Sequence, residues 1–87
     1  MSRFTAEFDQ IKVTDTEGVE WEVAFTREVD YHEETSGEKV IDEDNHVDTQ
    51  VNYGGVWTDV DKLHPAQQHA INSAIETWKQ ENEPSLP

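Results

Sequence analysis

The most constraining feature of this chain is an alternation that runs through residues 19–32. Odd positions hold Val19, Trp21, Val23, Phe25, Arg27, Val29 and Tyr31, and even positions hold Glu20, Glu22, Ala24, Thr26, Glu28, Asp30 and His32. Successive side chains of a strand point to opposite faces, so this stretch reads as a strand with one apolar face and one acidic face. Its apolar row must be covered by another layer, and its backbone must be paired on both sides. At about 3.3 Å per residue it would reach about 45 Å if fully extended. A bend or bulge is therefore expected along it, with Arg27, the charged residue on the apolar row, as the candidate place.

The neighbours of this strand are also legible. Phe4, Ala6 and Phe8 alternate on even positions, then Ile11 and Val13 on odd ones. That change of phase around Asp9 and Gln10 predicts a bulge or a break. Asp15, Thr16, Glu17 and Gly18 form a turn cluster, so the opening strand and the 19–32 strand should make an antiparallel hairpin. Ser36 and Gly37 mark a second turn, which sets Lys39 opposite Glu33 or Glu34. Residues 42–46 (Asp, Glu, Asp, Asn, His) read as a polar loop. Val47, Thr49, Val51 and Tyr53 then alternate as a further strand, which Gly54 and Gly55 interrupt with a bulge or a close backbone approach. Val56 and Trp57 resume it.

One helix follows. Pro65 suits a first helical turn, with His64 or Asp61 as the cap. Ala66, Ala70, Ile71, Ala74, Ile75 and Trp78 fall at spacings of three and four and form one apolar stripe, whereas Gln67, Gln68, Asn72, Ser73, Glu76, Lys79 and Gln80 read as its solvent side. The expected fold is α+β, a three- to four-stranded antiparallel β-meander with one C-terminal helix packed on its apolar face. Residues 1–82 should form one small domain and residues 83–87 a disordered tail. Trp21 and Trp78 fit a core shared by sheet and helix. Trp57, after the double glycine, fits it least, and the alternative for it is a surface anchor.

Composition bears on function mainly through charge. The 87 residues hold 20 Asp and Glu against 6 Lys and Arg, a net charge of -14. Residues 1–61 carry 17 of the acids and 4 of the bases, so the acidity belongs to the strands. A net charge of magnitude about 2–8 is enough to keep a small domain dissolved. The excess repels nucleic acids and anionic membranes and favours basic protein surfaces. An open sheet must in any case present a polar solvent face, and the acidity taken as no more than that is the competing reading. The candidate partner-binding residues are Glu7, Asp9, Glu20, Glu22, Glu28, Asp30, Glu33, Glu34, Asp42, Glu43 and Asp44. One strand face supplies a carboxylate only every ~6.6 Å, whereas duplex DNA carries a charge every ~1.7 Å of its axis. A surface that stands in for phosphates must therefore gather acids from several strands onto one side.

Other chemistries find little support. There is no cysteine, hence no disulfide and no thiolate. The acidic run from Asp42 lacks the Gly and Glu that a calcium loop of the EF-hand kind needs at its sixth and twelfth places, which here are Val47 and Tyr53. His64 and His69 are five apart, off the spacing of a helical metal pair. No metal and no cofactor is expected. Paired carboxylates such as Glu20 and Glu22 lie on an open face, and one helix over a small sheet is expected to leave no substrate pocket, so the chain reads as no enzyme. No apolar run approaches the ~20 residues that cross a bilayer, and no leader-like segment opens the chain, so a cytoplasmic protein is expected.

In size, acidity and lack of cysteine the chain is similar to small phage or mobile-element proteins that disarm host nucleic-acid enzymes. DNA-mimicking anti-restriction, anti-CRISPR and uracil-DNA glycosylase inhibitor proteins are examples. The likeness is one of composition and size, and no motif carries a site over. It implies a non-enzymatic inhibitor that docks an acidic sheet face on the basic surface of a nucleic-acid-processing protein. The alternative is a small structural or assembly protein, or a homodimer joined at its strand edges, whose acidity is only a solvated surface.

Overall fold

The computed structural model describes residues 2–86 and consists of four strands and one long helix. The strands are β1 (Ser2–Thr14), β2 (Glu20–Glu33), β3 (Lys39–Tyr53) and β4 (Val56–Asp59). A short 3₁₀ turn, Val60–Lys62, leads into α1 (Pro65–Glu81). All neighbouring strands pair antiparallel, in the order β1-β2-β3-β4. The fold is the α+β meander with a C-terminal helix that the alternation and the helical stripe predict.

Each connection has a local cause. At the first turn the Asp15 side chain accepts hydrogen bonds from the backbone N–H groups of Glu17 and Val19, both at 2.9 Å. Its second oxygen accepts the indole N–H of Trp21 at 3.0 Å. These bonds, led by the one from Trp21, hold the Asp15 carboxyl below the usual carboxylate range. The Gly54–Gly55 pair is not a bulge within a strand. Tyr53 pairs with Val56, and both glycines take positive φ (62° and 89°), the backbone that a two-residue hairpin turn demands.

Opposed residues share a face of the sheet, so the register sorts every side chain. The inner face, towards the helix, carries Phe4, Phe8, Ile11 and Val13 of β1 opposite Val29, Phe25, Val23 and Trp21 of β2. Val13, Val23, Phe25 and Val51 are buried there against Val60, Ile71, Ala74 and Ile75. Each of the Val, Ile and Phe side chains among them contributes ~1.5–3 kcal/mol by leaving water. Trp78 stands edge-on to both Phe8 and Phe25, with ring centroids 5.2 and 5.6 Å away. His64 is the cap that starts the helix, its Nδ1 accepting the N–H of Ala66 at 3.2 Å.

Four expectations need correction. Residues 42–46 are not a loop but lie within β3, because β2 is long enough to pair with them and their polar side chains find partners there. Val47 does not share a face with Val51. The register slips between Ala24 and Thr26, where Asp48 takes φ 52°, so Val47 faces outward opposite Thr26 while Val51 faces inward opposite Val23. Arg27 marks no bulge; it is buried and ion-paired. Lys79 does not face solvent; it is buried at 3% exposure beside Asp44. The expected change of phase in β1 is present, as a shift between Phe8 and Ile11 with Gln10 at φ 55°.

The helix, ~26 Å long, covers only part of a molecule that extends 48 Å. The β2–β3 hairpin projects beyond its C-terminal end. Residues 83–86 have no regular secondary structure, and Pro84 and Leu86 are half-buried. Pro87 of the expected tail lies outside the described residues.

Candidate partner-binding face

The outer face, away from the helix, collects acids from three strands. Glu7 lies opposite Thr26, Glu20 opposite Thr14, Glu22 opposite Lys12, and Glu28 opposite Thr5. Asp30 lies between Arg3 of β1 and Glu43 of β3. Asp9 sits at the β1 bulge and borders a cleft with Ala24 and Trp57. Asp42 occupies the extra position of a second β3 bulge and meets His32 of the outer row. Glu34 lies in the turn and reaches the other nitrogen of the same histidine. Two of the expected residues turn away: Glu33 and Lys39 oppose each other in register with Tyr31 and Ile41 on the inner side, and Asp44 lies opposite inward-facing Val29.

Asp44 is wholly committed on that inner side. Arg27 donates to both of its oxygens, from Nε at 2.9 Å and Nη2 at 2.6 Å. Lys79 donates to the Asp44 carbonyl at 2.7 Å and pairs with Glu76 at 2.8 Å. Arg27 also donates to the carbonyls of Asn82 (2.7 Å) and Lys79 (3.3 Å). A cation there satisfies the helix's last carbonyls and complements the negative end of its dipole. This carboxylate therefore anchors the helix and presents no charge to a partner.

The outer acids are less tied down, with local exceptions. Arg3 grips Asp30 through two hydrogen bonds, 2.8 and 3.2 Å, and reaches Glu28 at 3.4 Å. That contact holds the Asp30 carboxyl below its usual range and raises Arg3 in turn, in each case chiefly through the hydrogen bond between them. Glu22 accepts from the Asn52 amide at 2.7 Å, and Lys12 stands 3.8 Å from Glu20. Among the described residues Glu7 and Glu43 have no cation within ion-pair distance, and both are exposed. His32 stands between Asp42 (2.9 Å) and Glu34 (3.0 Å), and the bonds to them, Asp42 foremost, raise its affinity for a proton. With a carboxylate on each nitrogen, the imidazolium with both N–H groups is the form that satisfies the site.

Residues outside the expected set also belong to this face. Trp57 lies opposite Asn52 and is 39% exposed, so it is not part of the core. Asp59 lies opposite Gln50 and accepts its amide at 3.1 Å. Asp48, at the β3 bulge, borders the same region as Glu7 and Asp9. The double glycine before Trp57 was the one signal for its exposure, and nothing in the local pattern separates Asp48 from the other acids of its run.

The expectation of no pocket also needs correction. Where β3 bulges away from the helix, an open cleft of about 550 Å³ is lined by His46, Asp48, Thr49, Asp59, Asp61 and Asn72 among others. A second, of about 520 Å³, lies between the first turn and the start of the helix, beside Trp21 and His69. Among the described residues no three His, Asp or Glu side chains are grouped to hold a metal ion, and no helix is long and apolar enough to cross a membrane. The chain matches no protein-family model, no curated protein and no solved structure.

Proposed function

We propose that this chain is a non-enzymatic binding protein of the cytoplasm that docks its outer sheet face on a basic protein surface, in particular that of a nucleic-acid-processing protein, which it inhibits by occupying the site meant for phosphates. The observation that carries the reading is the gathering of Glu7, Glu20, Glu22, Glu28, Asp30 and Glu43 from three adjacent strands on one side, with Arg3 and Lys12 the only cations opposite them in register among the described residues. Four of the six belong to β2, and Glu7 and Glu43, on strands ~4.8 Å to either side, add to a row that by itself is far sparser than the ~1.7 Å charge spacing of a duplex. Such a field steers a cationic partner and makes association strongly salt-dependent.

Glu7 and Glu43, which have no cation partner among the described residues, contribute most to the field in this reading, and Asp30, gripped by Arg3, contributes least. A pull-down from host lysate at low and high salt tests it. The wild-type chain should capture a basic protein at low salt and release it at high salt, and a variant with Glu7, Glu20, Glu22 and Glu43 changed to Gln should capture far less. Capture that ignores both salt and these changes would refute the reading.

One observation favours a second reading, assembly through the short edge strand. Val56 is 64% and Tyr53 50% exposed at the tip of the β3–β4 hairpin, where an apolar contact between copies would find an unpaired edge. A dimer that persists at high salt and is dispersed by Val56→Lys, measured by size-exclusion chromatography with light scattering, would support it over the first.

A further inference from the structure

The two bulges that bend the sheet stand on either side of the same point in β2. β1 slips between Phe8 and Ile11, and β3 slips between the partners of Ala24 and Thr26. On the outer face this level holds Ala24, the smallest side chain of its row. The result is a trough of about 310 Å³ across the sheet, with Ala24 and Gln50 along it, Asp9 and Gln10 on one side and the indole of Trp57 on the other. It adjoins a second hollow of about 200 Å³ that Glu7 and Asp48 border.

We infer that this trough receives an arginine side chain of the basic partner. The inference rests on the reading above that the outer face meets such a partner, and names the group it takes. Three features of the trough select a guanidinium. The carboxylate of Asp9 in it, with those of Glu7 and Asp48 in the adjoining hollow, calls for a cation. The Trp57 indole beside it favours a planar cation that stacks, which an ammonium does not do as well. The small floor at Ala24 admits an aliphatic stem. An aromatic residue in a polar-rimmed hollow is also the arrangement in which interface anchors concentrate, and arginine is the charged residue most enriched at such centres. A second copy of this chain is a poor occupant, since it would bring carboxylates against carboxylates at a net charge of -14 on each side.

The test titrates the full-length, ¹⁵N-labelled chain at low ionic strength with tetra-arginine and with tetra-lysine, peptides of equal charge. The arginine peptide should bind about two- to fivefold more tightly, as expected for an exposed cation–π contact, and should shift the Trp57 indole and the amides of Ala24 and Gln50 most. Trp57→Ala should abolish that preference while changing tetra-lysine affinity less than twofold. Ala24→Leu, which fills the floor and alters no charge, should do the same and serves if the first variant does not fold. Glu20→Gln with Glu22→Gln should weaken both peptides alike and leave the preference intact. Equal affinity of the wild type for the two peptides, or a preference that survives both trough variants, would overturn the inference. A captured protein that is salt-sensitive yet binds Trp57→Ala as tightly as wild type would sink the trough alone. A trough that prefers arginine in a chain that captures nothing salt-sensitively would sink the proposed function and spare the trough.

Discussion

The two faces of this sheet use the same residue types in opposite ways. On the inner face one carboxylate, Asp44, is held between two cations, Arg27 and Lys79, whose side chains are both 2% exposed. On the outer face, among the described residues, six carboxylates in register share the two cations Arg3 and Lys12, and both are exposed. The inner charges act at contact distance and fix the helix end to the strands. The outer charges make exposed contacts, such as Arg3 with Asp30 and Glu28, and leave Glu7 and Glu43 without a cation among the described residues. A buried pair is fragile to the loss of one partner, because the other is left desolvated and uncompensated. An exposed carboxylate can be removed at almost no expense, and its loss relieves repulsion. The same acid is therefore structural or available to a partner according to which side of β2 or β3 it occupies.

The largest effect that would break this contrast is at Arg27. Arg27→Met should destabilise the chain by ~3 kcal/mol, the lower end for a broken buried pair because Asp44 is 24% exposed. Glu7→Gln on the other face should change stability by less than ~0.5 kcal/mol. Urea unfolding of the two variants measures both, and equal effects would erase the distinction between the faces.

A smaller effect concerns the bulge that lets β1 keep its apolar residues inward on both halves. Gln10 takes a left-handed backbone that a side chain other than Gly adopts at a penalty of ~1 kcal/mol. Gln10→Gly should therefore stabilise by up to ~1 kcal/mol, seen as a higher urea midpoint with an unchanged slope, and Gln10→Val should destabilise.

The smallest effect is a pH dependence at the outer hairpin. His32 binds its proton more tightly when folded than when unfolded, so its contribution is fully present below the unfolded value near 6.5 and is lost as pH rises through the folded one. Asp15 and Asp30 shift the other way. Their contribution is present above about pH 4 and is lost as pH falls further. Thermal unfolding should show a gain in stability from pH 8 to pH 6 that shrinks in His32→Gln, and a decline below pH 4 that persists in that variant.

The fold was legible wherever a residue has one physical use. Alternation over residues 19–32, Gly18 and Gly37 at turns, Pro65 in the first helical turn and the stripe from Ala70 to Trp78 all predict what is observed, and of the two expected caps, His64 and Asp61, it is His64 that caps. The phase shift in β1 was legible too, since apolar residues flank it on both sides. The β3 shift was not, because Val47, Thr49 and Val51 hold a perfect alternation through a bulge that turns Val47 outward. Charged residues are read as exposed by default, and so Asp44 and Lys79 were placed on the wrong side. Their burial depends on Arg27, fifty-two positions from Lys79 along the chain, and only the assembled sheet brings the three together. For the outer face, sequence supplied the parity of β2 but not whether β1 and β3 turn their acids the same way. Nine of the eleven candidate acids lie on that face or at its hairpin end, and Glu33 and Asp44 do not.

The central claim is that the outer acids stand where a partner expects phosphates. Competition by a ~20-base-pair DNA duplex against a captured basic protein tests it most directly. The account predicts mutually exclusive binding: the duplex displaces this chain, and the chain, but not its Glu7, Glu20, Glu22 and Glu43→Gln variant, displaces the duplex. A ternary complex in which the captured protein holds both at once would contradict it.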